Sequence, residues 1–298
     1  MNRTLNIIIG LLFGINSMAQ ETLIDNLVSK GAVVEKAGTG YTFTEGSSVA
    51  KDGRVFFTDQ PNDKIYVWDE NSGISHFMDN TDRSNGTEFD AEGNLITCAD
   101  LHNSLLKITP GKQKIVIYDK GYEGKHFNGP NDLWIDGRGG IYFTDPYYHR
   151  NYWGADHKKL LEIQAVYYLT PAGDLISVVD DLTQPNGIVG TPDGKNLYVA
   201  DIGAGKTWRY TIREDGTLTG KTDFAPAGSD GMTLDAEGNV YLTSGKVLIY
   251  NYKGEKAGEI ELPEKPSNLC FGGKNRDILF ITARTSVYTL KMKVKGVE

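Results

Sequence analysis

The sequence predicts an all-β chain closed into a six-bladed β-propeller, and three observations carry that prediction. A phrase made of a polar residue, an apolar run, a turn and a second apolar run occurs six times, led by Glu45, Asn85, Asn131, Asn186, Asp230 and Asn268. Eight positions after the leading residue stand Gly53, Gly93, Gly139, Gly194 and Gly238, with Arg276 as the one departure. The leading residues follow one another at intervals of 40, 46, 55, 44 and 38 positions, close to the roughly 40–50 residues of a propeller blade. A β-sandwich does not predict six-fold repetition, and a helical α/β enzyme needs amphipathic helices that this pattern does not contain.

Taken in chain order, residues 1–19 read as a secretory signal peptide. Arg3 precedes an apolar run over 5–15, and Ser17 and Ala19 supply the small residues a signal peptidase needs. The run is too short to span a bilayer. Residues 20–298 are therefore expected to form one soluble domain, secreted or periplasmic, without membrane association after cleavage. A short helix is expected within 23–30, and the strand-like segment 32–44 is expected to supply the outer strand of the last blade. Within each phrase, pairs such as Asp52-Gly53 and Asp193-Gly194 are hairpin chemistry, because glycine accepts positive φ without a Cβ clash. Third strands follow at Lys64-Ile65-Tyr66-Val67-Trp68, Leu105-Leu106-Lys107-Ile108, Ala165-Val166-Tyr167-Tyr168-Leu169 and Val247-Leu248-Ile249-Tyr250, runs whose β-branched and aromatic content suits strands. The 35 glycines in 298 residues match a chain of tight turns. Cys98 and Cys270 fall in blades two and six and read as separate small core residues.

Charge narrows the function. With 39 Asp and Glu against 31 Lys and Arg, a net charge of −8 and no basic run, the electrostatic footprint of a nucleic-acid binder is missing.

The inner strand of a propeller blade runs along the central channel, so the six leading residues face one another across the axis. All six are oxygen donors. Two carboxylates and several amides, without Cys or His, suit a hard divalent cation, calcium before magnesium, and disfavour zinc. Singly, Asn-Gly and Asp-Gly are turn markers; two acids in register with four amides go further, since buried acids are costly without a cation. Near the end of the second strand, 14 or 15 positions on, Asp145 and Asp201 are candidates for an acid or base role, or for hydrogen bonding between blades. The insertion over 146–163, rich in aromatics, is expected either to cover part of the channel mouth or to decorate the outside of the blade. His126 and His102 can line the site and act as a base, or be surface residues.

These residues resemble the SMP-30/gluconolactonase/luciferin-regenerating-enzyme family. The resemblance runs from Glu45-Gly46 to Leu290 and is most specific at Asn128-Gly129-Pro130-Asn131-Asp132-Leu133, Ile141-Tyr142-Phe143-Thr144-Asp145-Pro146, Gln184-Pro185-Asn186-Gly187-Ile188, and Asn268-Leu269-Cys270-Phe271-Gly272-Gly273 with Ile281-Thr282-Ala283-Arg284. It implies a metal-dependent hydrolase with ligands Glu45, Asn131, Asn186 and Asp230, usually holding calcium, that opens sugar lactones or, in distant relatives, cleaves organophosphates. The animal lactonases carry an Arg two residues before the Asn of the third blade, where this chain has Gly129, which removes one contact to sugar hydroxyls. The expected reaction is attack of water on a lactone carbonyl polarised by Ca²⁺. Asp230, Asp201 or Asp145 is expected as base, and Asn131, Asn268, Asn85 and His126 as substrate contacts. The other readings are a non-catalytic propeller that binds a protein or glycan around a structural cation, and a phosphotriesterase-like hydrolase.

Overall fold

The computed structural model describes residues 24–154, 158–159 and 161–297. The expected signal peptide lies outside the described residues. Residues 24–27 make a single helical turn, shorter than the helix expected over 23–30. A first strand, β1 (Glu35–Thr39), then leads into the repeats.

Among the described residues, six four-stranded antiparallel sheets form the six blades expected from the repeat. Blade one is β2 (Thr44–Val49), β3 (Val55–Asp59), β4 (Lys64–Asp69) and β5 (Gly73–Asp79). Blade two is β6 (Ser84–Phe89), β7 (Leu95–Ala99), β8 (Ser104–Ile108) and β9 (Lys114–Tyr118). Blade three is β10 (Leu133–Ile135), β11 (Ile141–Asp145), β12 (Gln164–Leu169) and β13 (Leu175–Leu182). Blade four is β14 (Pro185–Gly190), β15 (Asn196–Asp201), β16 (Lys206–Ile212) and β17 (Leu218–Ala225). Blade five is β18 (Met232–Leu234), β19 (Val240–Ser244), β20 (Lys246–Tyr250) and β21 (Lys256–Ile260). Blade six is β22 (Asn268–Gly272), β23 (Ile278–Ala283) and β24 (Ser286–Lys291), completed by β1 on its outer edge. Lys36 pairs with Tyr288 and Thr39 with Ser286, so both ends of the chain build one sheet.

Burial follows the strand order. Every residue of β2 and β3 is buried, whereas β5 is mostly exposed. The cores lie between blades. Phe57 and Trp68 of blade one pack with Cys270 and Phe280 of blade six, and Cys98 of blade two packs with Phe143 and Tyr167 of blade three. Each fully buried ring, such as Phe57 or Phe280, contributes about 1.5–3 kcal/mol. Both cysteines are buried, and no disulfide joins them.

The turn register explains its own exception. Gly53 has φ 96 and Gly194 φ 66, and Arg276, standing where the sixth glycine would be, has φ 58. Its guanidinium recovers part of the backbone cost by donating to the Ala50 carbonyl at 2.8 Å.

Two devices fix the ring of leading residues. Thr58 Oγ1 donates to the Asn85 carbonyl at 3.2 Å and Thr144 Oγ1 to the Asn186 carbonyl at 2.8 Å, so a second strand holds the next blade's leading residue by its backbone. The glycine after the leading residue admits the neighbouring inner strand: a Cβ on Gly46 would stand 1.8 Å from the Asn85 carbonyl oxygen.

Candidate functional site

The inner strands bring Glu45, Asn85, Asn131, Asn186 and Asp230 to one end of the central channel, around a cavity of about 300 Å³. Phe43, Gln60, Tyr148, Arg150, Ile202 and Lys265 complete its wall. The ladder registers explain why these side chains turn inward. The β2–β3 ladder shifts register between Glu45 and Ser48, β6–β7 between Ser84 and Thr87, and β14–β15 between Pro185 and Ile188. A bulge re-aims the side chain beside it. Asn131 and Asp230 stand just before β10 and β18, each held by its amide on a carbonyl of the second strand, Thr144 at 2.9 Å and Thr243 at 3.2 Å.

Asn268, expected in the ring and as a substrate contact, is set back from this cavity, and its side chain hydrogen-bonds the Glu45 carboxylate from behind. It pairs with Thr282 in an unshifted ladder, and its Oδ1 accepts from Ser47 Oγ at 2.9 Å and from the Leu269 amide at 2.7 Å. It lines a separate cavity of about 300 Å³ toward the hairpin-turn end of the channel, with Ser47, Thr87 and Asp132.

The electrostatics of the floor are those of acids without enough counter-charge. Burial pushes the Glu45 carboxyl well above its usual range, and the charges of Asp230 and Asp132 add to that. Burial raises Asp230 as well, while Lys265, Asn186, Arg150 and Arg284 act the other way. Asn186 Nδ2 donates to Asp230 Oδ1 at 2.8 Å and to the Tyr148 hydroxyl at 2.9 Å. Its Oδ1 is buried with no hydrogen-bond partner among the described residues. An orphaned amide oxygen beside two buried carboxylates is a donor set for a hard divalent cation. No group of three or more His, Cys, Asp or Glu suited to a metal occurs among the described residues, so a cation held here would need the amide oxygens. Asp132 is fully buried too; its burial pushes the carboxyl up to about 7. It was passed over in the sequence because it adjoins the leading Asn131 and does not occupy the repeat position.

Asp145 and Asp201, expected as candidate bases, do not line the cavity. Asp145 accepts the amides of Asn128 at 2.9 Å and Gly129 at 2.7 Å, and Asp201 those of Thr183 at 2.9 Å and Gln184 at 2.8 Å. Asp59 grips Thr42 and Phe43 in the same way. In each case the amides lie three and two positions before the leading residue, so these carboxylates hold the loops from which Glu45, Asn131 and Asn186 emerge. Burial pushes Asp145 up to about 7 against those two N–H bonds. His126 and His102 are exposed and do not line the cavity.

The insertion over 146–163 does reach the mouth, since Tyr148 and Arg150 are wall residues. Its anchor is Asp100, whose Oδ2 accepts from Arg150 Nε at 2.7 Å, Gln60 Nε2 at 2.7 Å and the Tyr152 hydroxyl at 2.5 Å. Trp153 Nε1 donates to the Asp100 carbonyl at 3.1 Å. A Cβ on Gly129 would stand 3.1 Å from Asp100 Oδ1 and 3.3 Å from Trp153, so the absent side chain at 129 leaves the space that this insertion fills. Sequence reasoning missed Asp100 although it stands fifteen positions after Asn85, as Asp201 does after Asn186; Ala99 occupies the place that Asp59 and Asp145 hold in their blades.

A family model for the SMP-30/gluconolactonase/LRE-like region matches residues 43–285. The chain belongs to this family. As a member of the SMP-30/gluconolactonase/LRE-like group it is similar to the gluconolactonase of Zymomonas mobilis, 29% identical over 92% of this chain and 85% of that protein. The solved structure of a gluconolactonase from Xanthomonas campestris superposes with a TM-score of 0.83 at 27% identity, over 89% of this chain and 91% of the other. Diisopropyl-fluorophosphatase of Loligo vulgaris is 28% identical over 66% of this chain and 67% of its own.

Proposed function

We propose that this SMP-30/gluconolactonase/LRE-like protein is a calcium-dependent hydrolase that opens a sugar lactone or a related cyclic ester. The observation that carries the reading is the partnerless Asn186 Oδ1 facing the same cavity as Glu45, Asn131 and Asp230. Those four residues would hold the cation. When bound, calcium supplies Lewis-acid polarisation of a carbonyl oxygen. The similarity to gluconolactonases supports the substrate class.

The chain's own groups account for the remainder. Asp230, with Oδ1 fixed by Asn186, takes a proton from the attacking water at its other oxygen. The water oxygen bonds to the carbonyl carbon, the ring C–O bond breaks, and the proton passes to the departing ring oxygen to leave a hydroxy acid. Asn85 and Asn131 offer amide groups to substrate hydroxyls, while Tyr148, Phe43 and Ile202 wall off water. Asp145 and Asp201 act by position, through the loops they hold.

Hydrolysis of a lactone panel with and without chelator tests the reading. Chelator-sensitive opening is expected. Turnover of phosphotriesters alone would favour the second reading, for which the likeness to diisopropyl-fluorophosphatase speaks. Calcium binding without turnover on either class would favour a non-catalytic propeller. Export is part of the proposal: amino-terminal sequencing of the mature protein should begin at Gln20, and a retained Met1 would refute it.

A further inference from the structure

The floor of the cavity accounts for the reaction but not for the charges at its mouth. The chain is acidic overall, with a net charge of −8, yet the ionisable wall residues above Glu45 and Asp230 are cations, Arg150 and Lys265. Lys265 is exposed and forms no hydrogen bond or ion pair among the described residues. Arg150 is tied to Asp100 through Nε and lies over the Tyr148 ring, its Cζ 5.3 Å from the centroid. Anchoring by Nε leaves the two terminal nitrogens, which form the fork that matches a carboxylate or phosphate. Arg284 adds a third positive charge nearby, 5.8 Å over the ring of the wall residue Phe43. Asp100 is the acid that neutralises Arg150, whereas Lys265 forms no ion pair among the described residues and acts at a distance on Asp230 in the floor. With a divalent cation balancing Glu45 and Asp230, the mouth is net positive.

We infer that the mouth reads an anionic substituent on the substrate, and that Arg150 and Lys265 are its specificity-determining residues. The inference rests on the lactonase reading of the floor and deepens it. The substrate class becomes a lactone or cyclic ester bearing a carboxylate or phosphate away from the scissile carbonyl. The ring lies among Phe43, Tyr148 and Ile202, and the anion reaches outward between the two cations. A cavity of about 300 Å³ is at the lower end of small-ligand sites and takes one sugar-sized ring.

The test compares D-glucono-1,5-lactone with the same lactone carrying a phosphate or a carboxylate at C6, in wild type, Lys265→Met and Arg150→Gln. A charge-assisted contact is expected to give the anionic probes a kcat/KM advantage of about 10- to 100-fold. The ratio should fall toward one in Lys265→Met and with rising salt. Arg150→Gln also loosens the Asp100 anchor, so Lys265→Met, at an exposed position, is the decisive variant. Whichever anion gives the larger ratio identifies the substituent.

Equal or faster cleavage of the neutral lactone overturns the inference and leaves the lactonase reading standing. Should no lactone be cleaved, that reading fails. Calorimetric binding of gluconate and its 6-phosphate, with and without added calcium, then decides the mouth separately. Tighter binding of the phosphate that Lys265→Met abolishes supports an anion-reading mouth. Indifference to the phosphate overturns it.

Discussion

Asn186 and Asp230 are joined by one hydrogen bond, Nδ2 to Oδ1 at 2.8 Å, and that bond orients the amide. Flipping Asn186 would set its oxygen against the Asp230 carboxylate and its NH2 where Oδ1 now stands without a partner. A carboxylate in blade five therefore aims an oxygen from blade four at the channel axis. Neither residue alone has the geometry of a ligand pair.

Asp230→Asn should lower turnover by about 10²–10⁴-fold, the usual worth of a positioned base. The same change removes a buried charge facing Glu45. In chelator, the variant should therefore gain about 1 kcal/mol and melt ~2–4 °C higher than wild type. Thermal melts in EDTA check this, and an unchanged or lower Tm would contradict mutual repulsion between the two acids.

Calcium at one hundred times its dissociation constant should stabilise the wild type by about 2.7 kcal/mol. Glu45→Gln and Asn186→Leu, each lacking one proposed ligand oxygen, should show that increment only at about 10-fold higher calcium or beyond. Titrating Tm against free calcium measures it. Superimposable curves for wild type and variants would remove these residues from the ligand set.

Asp100→Ala frees Arg150, Gln60 and Tyr152 together. Loss of the charged acceptor should cost about 1.5–3 kcal/mol, with kcat/KM down by about 10-fold or more and faster proteolytic cleavage within 146–163. Asp100→Asn should recover part of each loss. Wild-type kinetics in both variants would mean that the insertion does not shape the mouth.

Glu264 ties the seam of the ring. Its carboxylate accepts from Thr285 N at 3.1 Å, the Ser286 hydroxyl at 2.5 Å and the Tyr288 hydroxyl at 2.8 Å. Burial pushes its carboxyl up, but these bonds outweigh it and hold the group down at about 2. A folded-state value below the unfolded one stabilises the fold above the ordinary glutamate range, and the gain is lost as pH falls through about 2. Glu264→Gln should thus be less stable than wild type at pH 6, with the difference shrinking from about pH 5 downward. A difference independent of pH between 6 and 2 would refute the assignment.

The blades were legible in the sequence because their determinants are local. A glycine eight positions after a polar residue marks a hairpin wherever the chain later goes, and at Arg276 the left-handed turn survives the loss of the glycine. Most of the ring was legible for the same reason. Asn268 meets the ring through the Glu45 carboxylate and not the cavity itself, a setting back that depends on whether the ladder beside it is bulged. Tyr148, Arg150 and Lys265 belong to connections outside the repeat, and they meet only when distant blades are brought round the axis. Asp145 and Asp201 were found by register with two roles left open, acid or base and hydrogen bonding, since a carboxylate that faces a cavity and one that faces backbone amides look alike in a sequence; the second is the one their amide contacts fit.

The pairing of β1 with β24 has a consequence for how the molecule is made. Thr39 bonds to the Thr285 carbonyl 246 positions later, so the first strand to leave the ribosome waits for the last. Until then the sixth sheet lacks an edge and Phe57 lacks Phe280, 5.5 Å from it between ring centroids. Five blades can be complete while the ring remains an open arc, with its two exposed flanks apolar. Completion is then one late event spanning the whole chain, and it is the step at which a nascent molecule can instead join its flank to that of a neighbour.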